Sequence, residues 1–549
     1  MKGLKEYFRK GDPYVLLTSM GLILSLFMVV YFMSIILVKG LSIFWPGDLE
    51  LVKMNNGKVY LGEYWASDVN KSTHPDGTIT ETDKVQYKIG NRDIYGFDFI
   101  WLDKDEISET GYPDSATIIE RKEYGNFYGF IRSVETGDEV FDKSNCGDLL
   151  DKADKILSVS QELENHLKDF NSKLNRIISP LNDVKREISL LKIKERNKEE
   201  ETTLAQLQDE EKQLETSIEP EKEKVSAEIS EISNKIATLK ITVSTGDGRT
   251  KTFGFDEIVS LNQPNDMNVF TKAAHYAGNI WTFVSGEPRE SNTEGGVFPA
   301  IFGTVLMVLL MSVLVVPFGI LAAIYLNEYA KQGPVTRMIR LSVNNLAGVP
   351  SIVYGIFGLG FFIYMIGGSI DTFFFSDKLP EPTFGTGGIL WASLTLALLT
   401  LPVVVVATEE GILAVPRANK EGALALGATK WQMIRKIVLP NAMPGILTGL
   451  ILAISRGAGE VAPLMITGVV KLAPAMPLDG TFPFFHLDRK FMHLGFHIYD
   501  VGFQSPNVEA AKPMVYSTAL LLILIVVFLN LLAIYLRNRM RKKYKTSSF

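Results

Sequence analysis

The chain has 549 residues, of which 46% are hydrophobic and 21% are charged, with a formal net charge of −6. Six segments of about 20 residues or more carry almost no charge and are long enough to cross a hydrocarbon core of about 30 Å, which excludes a wholly soluble protein. The single cysteine, Cys146, excludes an internal disulfide, and no CxxC or Cys/His cluster in the sequence indicates a redox or metal centre.

The first apolar segment, Tyr14–Val38, is too long for a signal-peptide core and lacks a small-x-small cleavage site, so we predict an uncleaved anchor. Residues 1–45 then form a short N-terminus and the first span. Five further spans are predicted at Phe298–Leu326, Leu346–Ile366, Ile389–Ala407, Gly445–Val470 and Val515–Leu536. Basic residues concentrate before the first span, in alternate loops and in the C-terminal tail, which predicts that both termini are cytoplasmic. Residues 40–295 would then be periplasmic.

Residues 46–148 and 241–266 are predicted to form an extracytoplasmic β-rich domain. The segment Glu50–Tyr64 alternates around Asn55-Asn56-Gly57, a typical hairpin turn. Later segments share its aromatic and β-branched character. A half-open barrel is one expected arrangement.

Residues 149–240 carry apolar side chains at heptad spacing, which predicts a long antiparallel coiled-coil hairpin. The apolar positions of its first arm are Leu149, Ile156, Leu163, Phe170, Ile177, Val184 and Leu191. Folding back near residue 199 brings Leu191 opposite Leu207 and Val184 opposite Leu214. Such a hairpin is a spacer, an intermolecular coiled coil, or an arm that reaches a partner such as a solute-binding protein or another envelope component.

Residues 267–296 are predicted to form an amphipathic periplasmic helix and a linker, followed by a membrane core at residues 297–549. At the start of the third span, Gly348, Pro350 and Ser351 predict a helix break. The break is either a packing kink or part of a pathway.

Two charged residues, Arg456 and Glu460, lie within the fifth apolar segment, where charges are costly and usually face each other or a pathway. Their i,i+4 spacing places both on one helical face, so an internal ion pair is one explanation. In the other, Arg456 offers its planar guanidinium to an oxyanion and Glu460 holds it in place or tunes the local field. Both explanations can hold at once. Gly457 and Gly459 permit close packing or local unwinding there.

The polar loop at residues 409–440, between the fourth and fifth spans, carries a spaced motif. Its positions are Glu421, Gly422, Ala423, Gly427, Ile437, Leu439 and Pro440. We predict a short helix, a bend at Gly427 and a second short helix that ends at Pro440, all just outside the bilayer. Taken alone, the loop fits any interfacial helical hairpin. Glu409 and Glu410 are most simply solvated charges at a helix end.

Together these stretches resemble the A-type permease subunit of the Pst phosphate importers, a family of bacterial ABC importers. The similar segments are Gly295–Ile301, Asn345–Gly355, Ala407–Glu410, Glu421–Pro440, Leu439–Gly449 and Arg456–Pro463. The resemblance covers residues 1–45 loosely and 267–549 well. It implies a mainly α, polytopic protein of the bacterial inner membrane with six transmembrane helices of the ABC importer permease type.

The resemblance also implies partners, namely a second permease of C type, a dimer of ATPase subunits that binds the loop at 409–440, and a periplasmic phosphate-binding protein. No GxxxxGK[ST] occurs in the sequence, so we expect ATP and Mg to be bound by the ATPase and no cofactor or metal by this chain. Through the resemblance, Arg456 and Glu460 become candidates for an anion pathway. Neither catalytic residues nor a nucleic-acid partner is expected.

Three departures from the family pattern stand out. Gly422 replaces the usual Ala, Val461 stands where Thr is common, and residues 46–266 have no counterpart. The alternatives are a permease for another oxyanion, such as sulfate or molybdate, and a membrane scaffold or sensor derived from a permease that no longer binds an ATPase. An enzyme is not indicated, because the sequence shows no nucleophile–base set and no metal-ligand spacing.

Overall fold

The computed structural model describes residues 12–73, 79–137, 139–193, 198–480, 482–505 and 507–545. The helices are α1 (Asp12–Ser42), α2 (Arg92–Tyr95), α3 (Leu149–Ile193), α4 (Lys198–Ala237), α5 (Val269–Ser285), α6 (Phe298–Ile324), α7 (Pro334–Leu346), α8 (Ser351–Phe357), α9 (Gly368–Phe374), α10 (Ile389–Leu413), α11 (Arg417–Ala425), α12 (Lys430–Met433), α13 (Leu439–Gly459), α14 (Ala462–Thr467), α15 (Leu494–Tyr499) and α16 (Val508–Lys545). The strands are β1 (Leu49–Met54), β2 (Val59–Thr73), β3 (Ile79–Lys88), β4 (Phe99–Asp103), β5 (Ile107–Gly111), β6 (Thr117–Arg121), β7 (Phe127–Thr136), β8 (Glu139–Asp142), β9 (Leu239–Ser244), β10 (Thr250–Gly254), β11 (Ile258–Asn262), β12 (Pro288–Arg289) and β13 (Glu294–Gly295). Wider π-helical turns lie at Tyr325–Tyr329, Gly358–Gly367, Ile434–Val438 and Asp500–Gln504.

The chain divides into two compact units. The membrane unit comprises the described residues up to Phe44 together with those from Trp281 onward. The inserted unit is Trp45–Ile280, which lies in sequence between the first and second spans and has its own cores.

The membrane unit contains the six predicted spans, each a helix long and apolar enough to cross a bilayer. The spans are Tyr14–Ser42, Phe298–Tyr329, Ser351–Phe374, Ile389–Leu413, Lys430–Gly459 and Val508–Met540. The fourth span is the central one, since it packs against both α6 and α13, and 67% of its most apolar stretch is buried. In the first span the corresponding share is 6%.

The fifth span differs from its prediction at both ends. α12, the π turn at Ile434–Val438 and α13 form one continuous helical run, so the helix passes through Pro440 instead of ending there. The wide turn just before Pro440 lets the helix accommodate a residue without an N–H. At the other end the helix stops at Gly459, because Pro463 cannot donate the hydrogen bond that would continue it.

The inserted unit is built on two open antiparallel sheets rather than on the half-open barrel considered above. The first has the strand order β4-β3-β2-β1-β5, and the second has the order β10-β9-β7-β6-β11 with β8 beside β7. The predicted β1–β2 hairpin is confirmed. Its turn places Gly57 at φ 81°, a left-handed conformation that glycine adopts without strain.

α3 and α4 pack against each other as two arms of the predicted hairpin. Both predicted pairs, Leu191 with Leu207 and Val184 with Leu214, lie in one apolar cluster. Lys185 adds an ion pair to Glu215 at 3.2 Å. Residues 194–197, which separate the two arms in the sequence, lie outside the described residues, and heptad packing along the remaining length stays a prediction.

The base of α3 belongs to the core of the inserted unit rather than to the arm. Ala153, Ile156 and Leu157 are buried against the second sheet, in one cluster with Phe127 and Phe253. The separable part of the arm therefore begins beyond these residues, and the predicted boundary at residue 149 does not mark it.

A deletion that respects this boundary should leave the inserted unit folded. We expect replacement of residues 170–228 by a short Gly-Ser turn to keep amide protection in β6, β7 and β9, because the buried base of α3 is retained. Deletion of residues 150–240 should abolish that protection. It removes Ile156 and Leu157 from the core, each worth about 2–5 kcal/mol when truncated, together with Ala153 and the first two residues of β9. Hydrogen–deuterium exchange of the two purified proteins measures the difference, and equal protection in both would contradict this boundary.

A buried ion pair ties the two sheets of the inserted unit together. Arg121, at the end of β6, is 2% exposed and donates from Nη1 to Asp93 Oδ2 of α2 at 3.0 Å. Its Nε donates to the Gly125 carbonyl at 2.9 Å, and its guanidinium lies 5.1 Å from the centre of the Phe253 ring. Burial pushes the pKa of Asp93 upward, but hydrogen bonds from Arg121 and Lys251 lower it overall.

Replacing Arg121 should destabilise the inserted unit more than replacing its exposed neighbour. Arg121→Met leaves Asp93 buried with one cationic partner fewer, and breaking a buried pair in this way costs about 3–5 kcal/mol. Lys122→Met, which removes a surface pair with Glu164, should cost about 0–1 kcal/mol. Amide exchange in β6 and β7 of the whole protein reports both changes.

The same pair gives a pH dependence with a definite sign. The pKa of Asp93 in the folded protein lies below its ordinary value of 3.8. The stability that the ionised carboxylate gives to the inserted unit is therefore fully present above pH 3.8 and is lost as the pH falls through the lowered pKa. The acid loss of protection in β6 should be smaller in Arg121→Met, where the larger of the two hydrogen-bond causes of the lowered pKa is gone and only that from Lys251 is left. An unchanged acid profile in that variant would contradict the assignment.

Candidate functional site

Two interrupted helices of the membrane unit lie side by side. α7 ends at Leu346 and α8 begins at Ser351, with Gly348 and Pro350 in the intervening break. α8 packs against α14, the short helix that follows the break at Glu460. The packing is close, since a Cβ atom on Gly355 would lie 2.8 Å from the Cα of Pro463.

Arg456 and Glu460 lie at this second break. Arg456 is in the last turn of α13, and Glu460 follows the helix with an extended backbone at φ −78° and ψ 133°. The two residues therefore do not share a helical face as predicted, although Arg456 Nε still lies 3.7 Å from Glu460 Oε1. That distance is an ion pair but too long for a hydrogen bond.

The Arg456 guanidinium is only partly covered by the rest of the chain. Its side chain is 31% exposed, and in the described part of the chain it has no hydrogen-bond partner. A guanidinium has five N–H donors in a planar fork that matches the oxygens of a carboxylate or phosphate. Held beside one carboxylate, the group can bind an oxyanion without leaving an isolated charge in the membrane when the anion is absent.

Tyr354 bridges the first break and is not evident from the sequence. Its hydroxyl donates to the Leu346 carbonyl at 2.6 Å, across the break before α8. A tyrosine four residues after a Gly-x-Pro break is a weak sequence signal, because tyrosines are common near membrane surfaces.

A buried polar segment supports Val461 from the other side. Gly495 in α15 packs on Val461, and the buried His493 caps α15 by accepting from the Gly495 N–H at 3.1 Å. Burial lowers the pKa of His493 to about 3, so its ring is neutral at physiological pH. Burial also lowers the pKa of His497 to about 4, against the opposing charge of Asp500.

Asp500 also lies in this segment. It is buried and paired with Lys471 at 3.2 Å. The support behind Val461 therefore combines neutral imidazoles with one internal ion pair.

The motif residues of the loop at 409–440, called the docking loop below, divide into two groups. Ala423, Ile437 and Leu439 pack into an apolar cluster with the ends of α6 and α10, and Pro440 is half-buried at the start of α13. Glu421, Gly422 and Gly427 are exposed, with Gly427 at φ 83° in the bend.

The bend carries an exposed leucine outside the spacing motif. Leu426 is 90% exposed, and Leu424 beside it is half-exposed. Together they give the bend of this polar loop a small exposed apolar surface. The sequence motif alone does not indicate these two residues.

Glu409 is not the solvated charge that was predicted. It is largely buried and accepts from Arg340 Nε at 3.3 Å and from Asn327 Nδ2 at 3.2 Å. Glu410, in contrast, is exposed as expected. Within the residues that the structure describes, no three His, Cys, Asp or Glu side chains come together in a group able to hold a metal ion.

Six apolar spans, a helix broken beside an available arginine, and a protruding loop between the fourth and fifth spans define a multi-pass membrane protein. Residues 315–542 match the family model described as the binding-protein-dependent transport system inner membrane component. The matched range lies within the membrane unit and leaves the inserted unit outside it.

Curated relatives cover about half of this chain and most of their own length. The phosphate transport system permease protein PstA 1 of Mycobacterium tuberculosis (strain CDC 1551 / Oshkosh) is 36% identical over 47% of this chain and 75% of its own. The probable ABC transporter permease protein YqgI of Bacillus subtilis (strain 168) is 31% identical over 48% and 84%, respectively. Among solved structures, a chain of the inward-facing methionine ABC transporter MetNI is 18% identical over 48% of this chain and 97% of its own, with a TM-score of 0.33.

The chain therefore belongs to the binding-protein-dependent transport inner membrane family, as a permease subunit of an ABC importer. Its similarity to permeases named PstA confirms the resemblance that the sequence motifs indicated.

Replacing Gly422 by Ala should stiffen the docking loop. A Cβ atom at Gly422 meets open space within α11, so the substitution should gain about 1 kcal/mol of helix stability and slow amide exchange in α11 about five-fold. Gly427→Ala is the matched control. It should loosen the bend by about 1–2 kcal/mol, because a left-handed backbone disfavours a side chain. Faster exchange in Gly422→Ala would contradict the assignment.

Proposed function

We propose that this chain is the membrane permease subunit of an ATP-driven importer of inorganic phosphate. It would form the translocation pathway with a second, C-type permease and receive phosphate from a periplasmic phosphate-binding protein. A separate dimer of ATPase subunits would bind ATP and Mg and supply the energy. The observation that carries the proposal is the guanidinium of Arg456 at a helix break, which is ion-paired with Glu460 but makes no hydrogen bond within the described residues. Relatives of this chain are named as phosphate transport permeases.

The chemistry of Arg456 suits a tetrahedral oxyanion. Two guanidinium N–H groups can donate in parallel to two phosphate oxygens, so the hydrogen bonds fix the orientation of the anion while the opposite charges attract it. Glu460 keeps the site close to neutral between transport events, and its 3.7 Å separation leaves the donors open to exchange partners. Gly348, Pro350 and Ser351 would let the neighbouring helix adjust around the passing anion.

The docking loop supplies the second part of the proposal. Glu421, Gly422 and Gly427, with Leu426 at the tip, form the exposed surface that the ATPase would bind. Ala423, Ile437, Leu439 and Pro440 would carry its movement into the spans with which they pack. The exposed apolar tip favours this role over that of a scaffold that no longer binds an ATPase.

The charge distribution supports an orientation in the bacterial inner membrane. Basic residues cluster in the docking loop and in the C-terminal end of α16, which favours cytoplasmic positions for both. The inserted unit would then be periplasmic, together with its helical arm.

We propose that the arm is a spacer or contacts another envelope component. Excising residues 170–228 and then measuring phosphate uptake and the co-purifying proteins distinguishes a spacer from an arm that contacts another envelope component.

The assembly and its substrate can be tested together on protein purified from its native membrane. We expect a second permease and an ATPase to co-purify, and ATP hydrolysis to rise when phosphate and its binding protein are supplied. Stimulation by sulfate or molybdate instead would move the assignment to another oxyanion. Absence of any ATPase in the purified complex would refute the importer.

In that complex, Arg456→Lys and Glu460→Gln should impair phosphate uptake without preventing assembly. Lysine keeps the charge but loses the planar pair of donors, and losing hydrogen bonds to a charged group costs about 1.5–3 kcal/mol, or about 10-fold or more in transport rate. Arg539→Lys, at an exposed position on α16 outside the docking loop, is the control for a general effect of the substitution. Normal uptake by both variants would remove Arg456 and Glu460 from the pathway.

A further inference from the structure

The cytoplasmic end of the second span is held by three cationic side chains from three different helices. The π turn at Tyr325–Tyr329 ends this span, and the chain leaves the helix at Ala330. Arg340 of α7, Lys420 of α11 and Lys430 of α12 all reach this turn. Two of the three come from the docking loop.

The contacts from the docking loop converge on a single residue, Glu328. Lys420 Nζ lies 2.6 Å from Glu328 Oε1, and the two side chains are only 19% and 12% exposed. Lys430 donates to the Glu328 backbone carbonyl, and its ammonium lies 4.8 Å from the centre of the Tyr329 ring. Because Lys420 and Lys430 lie on opposite sides of the bend at Gly427, both arms of the docking loop are attached to the same turn.

The π turn is in turn attached to two further helices. Arg340 donates from Nη2 to the Leu326 carbonyl at 3.1 Å and to Asn327 Oδ1 at 3.2 Å. Its Nε reaches Glu409 Oε1 in α10 at 3.3 Å, and Asn327 donates to the same oxygen at 3.2 Å. The chain of polar contacts therefore runs from the docking loop through Glu328 to α6, α7 and the central span α10.

Polar contacts of this kind transmit displacement differently from the apolar cluster beside them. The hydrophobic effect has no direction, so apolar contacts do not by themselves fix which atoms must stay together. A largely buried ion pair cannot separate cheaply, since separation leaves each charge without a partner in a poorly solvated place. A movement of the docking loop that would separate Lys420 from Glu328 is therefore resisted at this pair.

We propose that the docking loop moves the second span through the Lys420–Glu328 ion pair. Lys420 immediately precedes Glu421, the first residue of the docking motif, so a displacement of the motif reaches the pair directly. Both residues are positioning residues, because they act on the pathway through the spans and do not touch the substrate. The inference rests on the proposed function, since it assigns a path for the energy that the ATPase would supply.

The test uses the whole complex reconstituted in lipid vesicles, with phosphate uptake and ATP hydrolysis measured in the same preparation. Lys420→Met and Glu328→Gln each remove one charge at nearly constant size. The charge-exchanged pair Lys420→Glu with Glu328→Lys restores opposite charges. Lys331→Met is the control, because Lys331 is an exposed cation beside the same turn.

We expect each single variant to keep its ATPase subunits and to hydrolyse ATP, while phosphate transported per ATP falls about five-fold or more, the lower end of typical coupling between sites. The charge-exchanged pair should recover a large part of the ratio, and Lys331→Met should match the unmodified chain. Recovery by exchanged charges is an effect that a loss of packing would not produce.

Two results would overturn the proposal that this ion pair transmits the movement of the docking loop. A normal ratio of phosphate to ATP in both single variants would show that the ion pair transmits nothing. Loss of the ATPase from both single variants, without recovery in the exchanged pair, would show that it only holds the loop in shape. Failure of the unmodified complex to couple phosphate to ATP hydrolysis is a different outcome, because it would refute the proposed function itself.

Discussion

A backbone group left unpaired in hydrocarbon is so costly that a membrane helix can break only where the rest of the protein encloses the break. Both interruptions in this membrane unit satisfy that constraint. At the first, the Leu346 carbonyl accepts from the Val349 N–H and the Tyr354 hydroxyl. At the second, the Val461 carbonyl accepts from the N–H groups of Leu464 and Met465. Close packing of α8 on α14 then brings the two irregular segments together.

The same constraint explains the cations at the end of the unit that carries the docking loop. A helix that ends in a π turn leaves carbonyl oxygens with unused acceptor capacity. Arg340 and Lys430 donate to two of these carbonyls, at Leu326 and Glu328. Helix termination and attachment of the docking loop are thus achieved by the same contacts. The docking loop therefore carries not only its exposed motif residues but also Lys420 and Lys430, which hold the loop against the spans.

The inserted unit shows how a long arm can be added without disturbing a fold. β8 and β9 pair with opposite edges of β7, so the strand before the arm and the strand after it are both held by the same strand. The Gly137 N–H donates to the Thr238 carbonyl at 3.2 Å, which closes the base of the insertion. Because the ends are already close, the cost of adding a long segment there grows only slowly with its length. The arm's length can vary with little effect on the two sheets.

Local signals in the sequence determined the six spans, the β1–β2 hairpin, the helix break at Gly348–Pro350 and the amphipathic helix α5. Each depends on apolar run length, periodicity, or a Gly, Asn or Pro whose backbone preference acts within a few residues. The tertiary structure alone decided the arrangement of the strands in two sheets and the pairing of Lys420 with Glu328 across 92 residues. A strand's own pattern does not specify its neighbours in a sheet, and a charged residue does not specify which distant charge it will meet. Such contacts depend on which surfaces pack together, and that is defined only when the whole unit has folded.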